Sequence, residues 1–134
     1  MIVVDTNVIA YLYLPGDHTA KAEALLDRDA DWAAPRLWRS EFRNILTGCM
    51  RRGQLTFEQA QRLQAEAENL LADNEDDVDS TRVLQLARDS DCSAYDCEFV
   101  ALAQQLGVSL FTVDTKILRA FPAHAVSLAA RASR

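Results

Sequence analysis

Two short apolar runs, IVV at residues 2–4 and VSLFTV at residues 108–113, each end directly on an aspartate, Asp5 and Asp114. Each acid then opens a segment of helical character. A β-branched run without polar alternation is buried on both faces, as strands of a parallel sheet are. Strands interspersed with helical segments therefore predict an α/β layered domain, with a mainly parallel central sheet flanked by helices. In such open sheets, ligands bind outside the carboxyl ends of the strands. If the two strands are neighbours, Asp5 and Asp114 converge on one crevice.

The intervening chain supplies the helices. Asn7–Leu14 reads as a first helix stopped by Pro15-Gly16, and His18–Arg28 as a second, with Ala22, Leu25 and Leu26 in phase. DWAAP suits a brief strand. Arg36–Arg52 is amphipathic, with Leu37, Trp38, Phe42, Ile45, Leu46 and Cys49 on one side and Gly53 ending it. Thr56-x-x-Gln59 and Ser93-x-x-Asp96 are capping-box patterns opening two further helices, the second closed by Gly107. Between them, NEDDVD reads as a loop or an exposed edge strand, and Asp79 or Ser80 opens a helix carrying Val83, Leu84 and Ala87. A short helix over Thr115–Phe121 and a strand near Ala125–Leu128 complete the reading. The chain's 134 residues suit one domain, 1–134.

Hydrophobic residues at 49% and charged residues at 25% are ordinary globular proportions. No apolar run approaches the roughly 20 residues of a membrane helix, and Asp5 interrupts what a signal peptide would keep apolar. A cytosolic location without membrane association is the expectation. Cys49, Cys92 and Cys97 lack zinc-type pairing and read as free thiols; His18 and His124 stand far from any nucleophile pattern. A net charge of −6 argues against binding nucleic acid through the overall field. A nucleic-acid substrate then requires cations to carry the positive charge.

Four acids stand out. Asp5 and Asp114 suit either helix capping or a ligand site. Glu41 has Leu37, Trp38 and Ile45 one turn away, so it lies on or beside an apolar seam. A carboxylate there is either paired or coordinating, or reaches water at the boundary. Asp96 neighbours Phe99 and Val100 and holds a capping position that leaves lone pairs open. Gathered in one place, the four would repel one another, raising some pKa values or drawing in metal. An all-oxygen set suits Mg²⁺ or Mn²⁺.

At these residues the sequence resembles a known family. VVDTNVIAYL, RLWRSEFRNIL, SAYDCEFVALAQQLG and LFTVDTKIL match, in order, the acidic blocks of PIN domains, and resemble most the VapC-type toxins of bacterial toxin–antitoxin pairs. The resemblance implies a three-layer PIN-like domain and a metal-dependent endoribonuclease. It places the catalytic quartet on Asp5, Glu41, Asp96 and Asp114, with Asp5 and Asp96 as direct ligands of Mg²⁺ or Mn²⁺. Thr6, Asn7 and Thr112 would orient Asp5 and Asp114 by hydrogen bonds, the alternative being plain turn and cap chemistry. Cys97 and Glu98 stand where small residues are expected, with Glu98 turned away from Asp96. The resemblance also implies a cognate antitoxin and a homodimer.

On this reading metal-bound water attacks an RNA phosphodiester in line. Arg36, Arg39 and Arg43 share one side of the Glu41 helix and are candidates to hold flanking phosphates, or else are solvated surface charge. Two other functions compete: an aspartyl-phosphate enzyme with Asp5 as nucleophile and Lys116 as phosphate partner, and a non-catalytic acidic module for a basic partner.

Overall fold

A computed structural model describes residues 1–129. In chain order the elements are β1 (Ile2–Val4), α1 (Thr6–Tyr13), α2 (Thr19–Arg28), β2 (Trp32–Pro35), α3 (Leu37–Arg51) and α4 (Phe57–Leu70). They continue through β3 (Glu75–Asp76), α5 (Ser80–Arg88), α6 (Ala94–Leu106), β4 (Leu110–Thr112), α7 (Thr115–Ala120) and β5 (Ala125–Ser127). The strands form one sheet in the order β3-β2-β1-β4-β5, and every pairing is parallel.

This order explains the layers. The connections β1→β2 and β2→β3 step one way across the sheet; β3→β4 and β4→β5 step the other way. Right-handed crossovers then put α1–α4 on one face and α5–α7 on the opposite face. The packing agrees: α1 contacts α2, α3 and α4, while α5 packs on α6 and α6 lies over β1, β2 and β4. Between the layers Ile9, Trp32, Trp38, Phe42, Leu102 and Leu110 are fully buried. Each such side chain removed from water stabilises the fold by roughly 1.5–3 kcal/mol.

Local chemistry sets the element ends. Thr56 and Gln59 make the full reciprocal capping box, Gln59 N–H donating to Thr56 Oγ1 at 3.1 Å and Thr56 N–H to Gln59 Oε1 at 2.9 Å. Gly107 closes α6 at φ 68°, a conformation that disfavours any side chain. NEDDVD contributes the two-residue edge strand β3. Leu84 is 66% exposed, because the buried side of α5 is carried by Val83 and Leu86.

Candidate functional site

The sheet changes direction of connection between β1 and β4, and this is the switch point at which α/β sheets hold ligands. Asp5 follows β1 and Asp114 lies two residues beyond β4. Both are helix N-caps. Asp5 Oδ1 accepts from the Val8 amide at 3.0 Å; Asp114 Oδ1 accepts from Lys116 and Ile117 at 2.8 and 3.2 Å. Capping and convergence thus coexist in the same residues. A crevice of about 270 Å³ is lined by Asp5, Glu41, Asp96 and Asp114 together, with Thr6 and Asn7 beside them.

Hydroxyls hold two of these acids. Thr112, fully buried, donates to Asp5 Oδ2 and accepts the Asp114 amide at 3.0 Å, joining the ends of the two strands. Thr6 donates to Glu41 Oε1 at 2.6 Å, so it orients Glu41 rather than the aspartates assigned to it from sequence. Asn7 is exposed at the rim of the crevice. At Asp96 only half a capping box forms: its amide donates to Ser93 Oγ at 3.0 Å, while its carboxylate accepts no hydrogen bond among the described residues.

The electrostatics follow from burial without compensation. Among the described residues, no lysine, arginine or histidine lines the crevice. Burial pushes the Asp5 carboxyl up to about 6, and Asp114 and Glu41 add to the rise against the opposing bonds from Thr112 and Val8. Glu41 is also raised, first by desolvation and then by Asp96, with the Thr6 bond opposing. As the side chains stand, no three His, Cys, Asp or Glu groups among the described residues are arranged to hold an ion. The donor chemistry nevertheless fits a hard divalent cation: oxygen ligands alone, a surplus of negative charge, and an Asp96 carboxylate free of other partners.

The three arginines lie elsewhere. The Arg39 guanidinium forks onto Glu75, Nε to Oε2 at 2.6 Å and Nη2 to Oε1 at 2.7 Å, and donates to Glu68 at 3.2 Å. It ties α3 to β3 and α4 and is not free for phosphate. Arg36 donates to Asp77 at 3.3 Å; Arg43 borders a groove between α3 and α4. Lys116 does not line the crevice either. Sequence reasoning passed over Asn44, which shares the crevice with Glu41 at helical i,i+3 spacing, a signal that was available. It also discounted Glu98, which turns from Asp96 but lies near enough to Glu41 for that charge, after desolvation, to raise its pKa.

The fold and the acidic crevice define a family. The PIN domain model matches residues 2–121, and the chain belongs to the PIN domain family. Ribonuclease VapC3 of Pyrobaculum aerophilum is 29% identical over 132 residues, covering 91% of this chain and 95% of that protein. Among solved structures, FitAcB from Neisseria gonorrhoeae superposes with a TM-score of 0.75 at 21% identity, covering 96% of this chain and 98% of the other. A toxin–antitoxin complex from Klebsiella pneumoniae gives 0.71 at 20% identity with the same coverage.

Proposed function

We propose that the protein is a metal-dependent endoribonuclease, the toxin of a type II toxin–antitoxin pair. The observation that carries the reading is the meeting of Asp5, Glu41, Asp96 and Asp114 in one crevice of a PIN domain. Asp5 and Asp96 would hold Mg²⁺ or Mn²⁺, with Glu41 and Asp114 completing the acidic shell. When bound, such a cation lowers the pKa of a water ligand and neutralises charge on the scissile phosphate.

The chain's own residues prepare that chemistry. Thr112 and the Val8 amide fix both Asp5 oxygens, Thr6 fixes Glu41, and the start of α7 fixes Asp114. Little reorganisation then remains at the moment of reaction. Asn44 at the crevice offers an amide to the RNA backbone, and the exposed Arg43 is left to hold a flanking phosphate, Arg36 being engaged with Asp77.

VapC3 is named a ribonuclease and the Klebsiella neighbour is a toxin–antitoxin complex; these likenesses support an RNA substrate and a cognate antitoxin. A homodimer acting in the cytosol completes the proposal. Phe57, 64% exposed beside the apolar groove between α3 and α4, supports association with a protein surface. No helix among the described residues is long and apolar enough to cross a membrane. The test is cleavage of RNA with Mg²⁺ or Mn²⁺ against an EDTA control, using wild type, Asp5→Asn and Asp96→Asn. Full cleavage by either folded variant overturns the assignment.

A further inference from the structure

The acidic crevice occupies only part of the sheet's carboxyl edge. Beyond the ends of β2 and β3 lies a second cavity of about 520 Å³, which the quartet does not line. Its walls combine Val83 and the exposed Leu84 of α5 with the carboxylates of Asp76, Asp77 and Glu98 and the guanidinium of Arg36. Neighbouring strands are about 5 Å apart, so this cavity begins roughly 5–10 Å along the edge from the end of β1.

Helix α6 serves both cavities. A helix turns about 100° per residue, so Asp96 and Glu98 face nearly opposite ways. Asp96 lines the crevice and Glu98 lines the second cavity. The Glu98 carboxylate accepts no hydrogen bond and makes no ion pair among the described residues. Partly exposed, it can accept from donors that enter the cavity.

Resting on the ribonuclease reading above, we propose that this cavity receives the base beside the scissile phosphate and selects amino-bearing bases over uracil. A phosphate does not suit it: three carboxylates face one guanidinium that is already engaged with Asp77 at 3.3 Å. Neutral N–H donors do. Cytosine N4, adenine N6 and guanine N2 each present an amino group to a carboxylate, whereas the single N–H of uracil is flanked by two carbonyl oxygens that the carboxylates repel. Among the described residues no aromatic ring lines the cavity, so they supply none of the sequence-tolerant stacking that holds single strands elsewhere. Val83 and Leu84 cover the base face, and the edge decides.

The test compares short RNAs that differ only in the base on either side of the cut. With Mn²⁺ and wild-type protein, cytosine in one flanking position is expected to raise kcat/KM over uracil by roughly five- to hundredfold. Glu98→Gln adds a donor that can face a uracil carbonyl, and should bring that ratio towards one. Leu84→Ser, at an exposed position, should raise KM for both RNAs and leave the ratio. Cleavage indifferent to the flanking base overturns this inference alone, as does a ratio unmoved in a folded Glu98→Gln. If Glu98→Gln weakens binding of an arginine-rich peptide and leaves RNA selection intact, the cavity belongs to a protein partner and the inference falls. Absence of cleavage of every RNA by wild type overturns the ribonuclease reading, and this inference with it.

Discussion

Thr6 and Glu41 are 35 positions apart in the chain, yet the Thr6 hydroxyl donates to the Glu41 carboxylate at 2.6 Å. The contact joins the first turn of α1 to the second turn of α3 across the mouth of the acidic crevice. Thr6→Val keeps the shape and removes the donor. Removing a partner that orients a metal-site ligand typically lowers activity or metal affinity by about 10–100-fold. The expected result is a loss of RNA cleavage in that range, with an unfolding midpoint close to wild type. Unchanged cleavage across a Mn²⁺ titration would show that Glu41 needs no such support.

Asp5 sets a pH dependence whose sign is fixed by the direction of its shift. Its carboxyl titrates at about 6 in the fold against an ordinary 3.8. Between these values the folded protein keeps a proton that the unfolded chain releases, so stability falls as pH rises through the window. Above it the buried charge costs about 3 kcal/mol relative to the neutral form. In EDTA, Asp5→Asn should therefore be about 1–3 kcal/mol more stable than wild type at pH 7.5 and gain nothing at about pH 4. Urea unfolding at the two pH values checks this.

Divalent cation should reverse that penalty in the wild type. A ligand at a hundred times its Kd stabilises the fold by about 2.7 kcal/mol. Mn²⁺ is thus expected to raise the thermal midpoint at pH 7.5, less so at pH 5, where Asp5 is protonated, and hardly at all in Asp5→Asn. Calorimetric scans with and without EDTA measure the difference. A midpoint indifferent to Mn²⁺ and Mg²⁺ at pH 7.5 counts against the metal centre.

Glu75 makes a separate prediction about structure. Its side chain is 4% exposed and takes donors from Trp38 Nε1 at 2.7 Å and from the Arg39 fork. The Arg39 bonds, foremost, hold its carboxyl below the ordinary range. Its contribution is therefore present above the unfolded pKa and lost as pH falls through the lower folded value. Glu75→Gln should cost about 2 kcal/mol at pH 7, discounted because Arg39 is partly exposed. The loss should shrink in acid.

β1 and β4 were legible because they are short, apolar and followed by acids, a pattern that strands of a doubly covered parallel sheet explain. Asp5 and Asp114 were legible for the same reason: a strand's carboxyl end is recognisable without coordinates. Glu41 needed helical phase as well, since its exposure depends on which side of α3 meets α1. Pairings across the chain were less visible. Arg39 looked like a free surface cation because nothing local marks Glu75, 36 positions away, as its partner. Thr6 was assigned to the nearest acid in sequence and serves a distant one.

The hydrogen bond from Thr112 to Asp5 spans 107 positions, and β4 pairs directly with β1 at the centre of the sheet. A nascent chain that has not yet released β4 carries Asp5, Glu41 and Asp96 but lacks the central strand whose Thr112 seats Asp5 and whose end brings Asp114 into the crevice. On the proposed function, a cell translating this message beside its own RNA is sheltered by topology until synthesis passes Asp114. Premature stops anywhere upstream should accordingly yield harmless fragments.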